Sequence, residues 1–129
     1  MSALDVQVGG SHYKNNDMQP IELIVALNLN FIEGNIVKYI TRYKNKNGMQ
    51  DVMKCIHYSQ LAIELGCIRP DIDMHNNYAL INKYCDTNKL SNVQNSIIIA
   101  CLQNDYSQVK LLCEAMVDGF NNSEISIKR

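Results

Sequence analysis

The sequence predicts an all-α protein: a small helical bundle with an extended N-terminal arm and a C-terminal helical extension. Three observations support this expectation. Apolar residues recur at helical spacing in six segments. Proline and glycine stand where helices should start and stop. Alternation of polar and apolar residues never persists beyond a few positions, so no strand is expected.

The first eighteen residues read as an arm and loop. Pro20 suits a first helical position, and Ile21, Ile24, Val25 and Leu29 follow at helical spacing, with the end at Asn28-Leu29-Asn30. The second helix is expected from Phe31 to about Asn45, with Ile32, Ile36, Tyr39, Ile40 and Tyr43 as its apolar stripe. Asn47-Gly48 supplies a turn. The third helix, Met49 to Leu65, ends before Gly66, which suits the left-handed position after a helix. Its apolar residues lie nearly all round: Val52, Ile56 and Ile63 on one side, Tyr58, Leu61 and Leu65 on the other. Such a helix is buried on more than one face. Cys67 to Asp73, containing Arg69-Pro70-Asp71, reads as a linker dividing residues 1–66 from 67–129. Three further helices are expected over Tyr78–Tyr84, Val93–Leu102 and Ser107–Val117, with a polar tail that frays from Asn121.

At 129 residues the chain fits one domain or two very small ones. A formal net charge of −1 gives no global field favouring long nucleic acid or an acidic membrane. No apolar run approaches the ~18 residues that span a bilayer, and the N-terminus has no apolar leader. Cys55, Cys67, Cys85, Cys101 and Cys113 form an odd set without a C-x-x-C pair, against both a disulfide framework and a tetrahedral zinc site. Four of them fall among apolar residues of helical segments, where a thiol acts as a small hydrophobe. A reducing, cytoplasmic setting is expected, with no metal and no cofactor.

The N-terminal unit is about 66 residues, and a domain of roughly 60 buries only about 60% of its surface. The third helix offers more apolar perimeter than two neighbours cover. A symmetric partner presenting the same helix is the expected remedy, and cover by the C-terminal helices in cis is the alternative.

Two constellations point to an anionic ligand. Gly9 and Gly10 free the backbone for an anion-binding nest, and Ser11, His12, Tyr13 and Lys14 add side-chain donors. An ordinary Gly-Gly turn with polar neighbours is the competing reading. On the second helix, Asn35, Lys38 and Arg42 share a narrow polar stripe, and no acid occurs between Glu33 and Asp51. Arg provides a planar fork for phosphate and Lys a mobile point charge. Three charge-assisted hydrogen bonds give roughly 5–9 kcal/mol against an association cost of about 4–15. A ligand held between protomers, with Tyr13, Tyr39 or Tyr43 stacking on a base, closes that gap.

Catalytic machinery is not evident. Neither a G-x-x-x-x-G-K-[ST] loop nor a kinase-type glycine loop occurs. Asp17, Glu22, Glu33 and Asp51 are candidate metal or base carboxylates but form no recognisable pair, and Glu22 suits the dipole of its helix. His12 is read as a donor to phosphate, His57 as packed or interfacial, and His75 without a role. No catalytic residue is assigned.

The runs GGSHYK (Gly9–Lys14), QPIE (Gln19–Glu22), EGNIVKYITRYKNKNG (Glu33–Gly48) and DVMKCIHY (Asp51–Tyr58) resemble a family of small phage-encoded proteins of unknown function. Its members are often labelled nucleotide kinases because of similarity to such a kinase of a T-odd coliphage. The resemblance implies nucleotide binding, with Gly10, Ser11, His12, Tyr13, Lys14, Asn35, Lys38 and Arg42 as contacts. Small phage proteins of similar design also sequester nucleotide messengers of bacterial defence. Ser96 to Gly119 bears a faint likeness to the paired helices of an ankyrin repeat, although about three such units are needed for a stack. It is read as an extension packing on the N-terminal unit.

The leading expectation is therefore an oligomeric viral or prophage protein that sequesters a nucleotide, such as a cyclic dinucleotide or ADP-ribose-type messenger, in the host cytoplasm. The alternatives are a nucleoside monophosphate kinase without a P-loop, and a helical interaction adaptor.

Overall fold

Pro20 opens α1 (Pro20–Ala26), and Glu22 reaches back to accept the backbone N–H of Gln19 at 2.6 Å. The computed structural model describes residues 2–6 and 18–128, with side chains as far as residue 122. Gly9 to Lys14 therefore lie outside the described residues, as does Asp17. Residues 2–6 form one 3₁₀ turn, Ala3–Asp5.

Asn28, at φ 53°, turns the chain out of α1 and towards α2 (Phe31–Arg42). Asn30 caps α2: its Oδ1 accepts from Glu33 N at 2.8 Å, while Glu33 Oε1 accepts from Asn30 N at 3.1 Å. The last turn of the expected helix tightens to a 3₁₀ turn over Tyr43–Asn45. Gly48, at φ 56°, leads into α3 (Met49–Leu65), and Gly66, at φ 64°, closes it. Both boundaries of α3 are those the sequence predicts. After the 67–73 linker come α4 (Met74–Thr87), α5 (Asn92–Leu102) and α6 (Tyr106–Lys128). The fold is all-α, with six α-helices and no strand among the described residues.

Two expectations are corrected. α4 extends beyond Tyr78–Tyr84 at both ends, because Asp73 caps it by accepting from Asn76 N at 3.0 Å. The last helix, expected to end near Val117, continues through Asn121 to Lys128. A glycine inside a helix costs about 1 kcal/mol relative to alanine. Phe120 packs edge-on against Tyr43, with centroids 6.4 Å apart, and anchors the helix past Gly119.

α2 occupies the centre, with Ile36, Val37 and Ile40 fully buried. Leu23 of α1, Val52 and Cys55 of α3, Ile97 and Ile98 of α5, and Val109 and Cys113 of α6 complete the same core. α6 runs along α3, where Lys110 Nζ donates to Gln60 Oε1 at 2.8 Å. α6 thus covers part of α3 from within the same chain, the cis alternative to a symmetric partner. Ile63 and Leu65 correct the expected all-round burial, since 44% and 69% of their surfaces stay exposed.

Polar ties bind the C-terminal half to α2. Tyr84 Oη and Thr41 Oγ1 lie 2.6 Å apart, and Gln94 Nε2 donates to the Ile40 carbonyl at 2.7 Å. Arg69, in the linker, pairs through Nε with the fully buried Glu33 and donates through Nη2 to the Leu102 carbonyl at 3.2 Å. Asn104, at the α5–α6 turn, donates to the Arg69 carbonyl at 3.1 Å.

All five cysteines are free, and only Cys67 is not buried. A side-chain hydrogen bond with Cys113 and burial push the Cys55 thiol well up, burial raises Cys101, and burial lifts Cys85 to about 11.

Removing one partner of a buried pair leaves an uncompensated charge, so Arg69→Ala should cost about 3 kcal/mol of unfolding free energy in urea at neutral pH. An unchanged midpoint would refute the latch. Thiols whose folded pKa is raised stabilise the fold fully below the unfolded value of about 8.5, and lose that contribution as pH rises towards the folded values. Stability should therefore fall between pH 9 and 11, and an aromatic disulfide reagent at pH 8 should titrate Cys67 alone until urea is added.

Candidate cation–aromatic ridge on the second and third helices

One turn of α2 and one of α3 converge on Tyr39. Lys38 Nζ lies 4.4 Å from the centre of its ring, Arg42 Cζ 4.7 Å and Lys54 Nζ 4.7 Å. All three lie within the ~6 Å range over which a cation is attracted by an aromatic face. Tyr39 keeps its place in the apolar stripe, packed against the core, and also meets these cations. Tyr39 is half-buried. Ile32, Ile36, Ile40 and Tyr43 keep the buried role expected of them.

The aromatic surface continues across both helices. Tyr58 of α3 stacks on Tyr39 with centroids 6.1 Å apart and planes 18° apart. Phe31, at the first position of α2, meets Tyr58 edge-on at 6.1 Å while 75% of its surface is exposed. His57, expected to be packed or interfacial, is exposed, with its ring 6.2 Å from Tyr58. His75 is exposed in the first turn of α4.

Asp51 is the counter-ion of the ridge and is fully buried. Arg42 Nε lies 3.3 Å from its Oδ2, and Arg42 Nη2 lies 3.4 Å from its Oδ1. Asn47 N donates to Oδ2 at 3.3 Å, and Lys54 Nζ lies 3.7 Å from Oδ1. Glu33, the other carboxylate of this region, serves Asn30 and Arg69 instead. Two of the three cations, Arg42 and Lys54, thus share one internal carboxylate, and Lys38 meets them only over the ring.

Of the predicted residues, Lys38, Tyr39 and Arg42 come together, while Asn35 stands one turn back along α2. Its Nδ2 donates to the Phe31 carbonyl at 2.8 Å. Lys54 escaped the sequence reading because it lies on a different helix. Its signal was the Asp51–Lys54 pair three residues apart, just beyond the acid-free stretch. Lys44 Nζ lies 6.0 Å from the centre of the Tyr43 ring. Another polar cavity, of about 330 Å³, lies at the ends of α2 and α4 and includes Lys44 and Lys89.

Residues 8–60 match the family described as a protein of unknown function, DUF3310. That stretch ends inside α3, so it takes in the whole ridge. No curated protein and no solved structure matches the chain.

Asp51→Ala should cost about 3 kcal/mol, because it strips a buried carboxylate from two cations. Lys54→Met, on a side chain 37% exposed, should change stability by less than about 0.5 kcal/mol. Urea unfolding of the two variants separates the anchor of the ridge from its outward-facing charge.

Proposed function

We propose that this chain is a nucleotide-binding protein of phage or prophage origin, acting as an oligomer that sequesters a phosphorylated nucleotide signal without altering it. The supporting observation is the convergence of Lys38, Arg42 and Lys54 on one half-buried tyrosine ring, with one internal carboxylate pairing Arg42 and Lys54. An anion bridging the ammonium groups relieves their mutual repulsion, and Phe31 and Tyr58 extend the ridge as a stacking surface. The resemblance noted in the sequence points the same way.

Energetics support an assembly with more than two lysine contacts. Two charge-assisted hydrogen bonds contribute about 3–6 kcal/mol, below a typical association cost of about 4–15. Stacking adds roughly 1–3 kcal/mol per base, and a second copy of the chain adds further donors. Phe31, 75% exposed against Tyr58 of the ridge, offers apolar surface on which a second copy closes.

The kinase reading is less favoured. A phosphoryl transferase needs a carboxylate to hold magnesium or receive a proton. Asp51 is buried, and both of its oxygens are engaged by Arg42, Lys54 and the Asn47 amide.

Calorimetry against nucleoside monophosphates, ADP-ribose and cyclic dinucleotides should show submicromolar binding of one of them, recovered intact after denaturation. Lys38→Ala and Lys54→Ala should each weaken it about tenfold or more, since a charge-assisted hydrogen bond contributes about 1.5–3 kcal/mol. A chemically altered ligand, or diphosphate formed from ATP and a monophosphate, would establish turnover instead.

A further inference from the structure

Lys38 belongs to two features at once. Its ammonium faces Tyr39 on the ridge, and its side chain also lines a groove of about 330 Å³ between α1 and α2. Ile24, Leu29 and Phe31 form the apolar walls of that groove, and Asn35 is the polar group beside Lys38. Gly34, buried at its floor, lets α1 pack close: a Cβ there would meet the Ile24 side chain at 3.5 Å. The volume lies at the small end of ligand sites, the scale of one planar ring system rather than a whole dinucleotide.

Asn35 is unusual among the lining residues. One N–H of its amide is committed to the Phe31 carbonyl at 2.8 Å, which fixes the orientation of the group. Among the described residues its amide oxygen and second N–H have no other partner, an acceptor beside a donor, and the same pair on an asparagine reads a base edge bidentately. Apolar walls, an exposed aromatic ring and one such amide are the chemistry that receives a nucleobase.

Resting on the phosphate-binding reading of the ridge, we propose that this groove takes the base of the bound nucleotide, with Asn35 reading its edge and Lys38 bridging base site and phosphate site. Asn35 then sets specificity, and Lys38 and Lys54 set charge attraction. The ligand is a base-bearing phosphate, not an inorganic or sugar phosphate.

The test compares Kd values of the full chain for the four ribonucleoside 5′-monophosphates, ribose 5-phosphate and pyrophosphate. At least one monophosphate should bind about tenfold tighter than ribose 5-phosphate, the scale of one bidentate base contact. Asn35→Leu should erase that margin and leave ribose 5-phosphate unchanged, and Phe31→Ser should shrink it. If ribose 5-phosphate matches every monophosphate, or Asn35→Leu preserves the margin, the base site is wrong while the phosphate ridge stands. If neither pyrophosphate nor any sugar phosphate binds, the ridge reading fails and takes the groove with it.

Discussion

A buried carboxylate at the start of α2 is the constraint on which the arrangement depends. Glu33 closes the capping box with Asn30 and pairs with Arg69, which comes from the linker more than thirty residues away. A buried charge is tolerable only when paired and hydrogen-bonded, so Glu33 specifies where the linker must lie. Arg69 in turn donates to the Leu102 carbonyl and is bonded to Asn104, which sets the α5–α6 turn. One side chain thereby fixes the entry of α2, the path of the linker and the position of the helix pair behind it.

With α2 fixed, its remaining faces become available for other work. One side is core, through Ile36, Val37 and Ile40. Another forms the ridge with α3, and a third forms the groove with α1. Lys38 stands between the last two. The Arg42–Asp51 pair holds α2 to α3 at the level of Tyr39, so the two helices present their cations to the same ring. Clustered like charges oppose folding, yet the tyrosine face and Asp51 offset much of this, and solvent screens what projects outward.

Much of the fold was legible locally. Pro20, Asn30, the Asn47-Gly48 turn and Gly66 mark helix ends through their own backbone chemistry, so the bounds of α1, α2 and α3 follow from nearest neighbours. The length of α6 was not legible, because Gly119 and the following asparagines are unfavourable locally while Phe120 anchors the helix through Tyr43. The cis cover of α3 and the Glu33–Arg69 latch likewise depend on contacts between distant segments. For the ridge, helical spacing placed Lys38 and Arg42 together and set Tyr39 in the apolar stripe, where it packs on the core. Periodicity registers which way a side chain points, and it cannot register that three cations from two helices gather over one ring. The glycine-led arm, Gly9 to Lys14, lies outside the described residues.

The division of labour among the cations follows from burial. Arg42, with only 15% of its side chain exposed, is bound to Asp51 through Nε and Nη2, so it acts first as a bolt between two helices. Lys54 keeps 37% of its side chain in solvent, and Lys38 has no carboxylate within salt-bridge distance among the described residues. The two lysines are therefore the groups able to follow an incoming anion, each a mobile point charge on a flexible stem, while the arginine holds the platform beneath them. A rigid aromatic floor, a buried counter-ion and two movable charges at the rim make a site whose fold and whose affinity rest on different side chains.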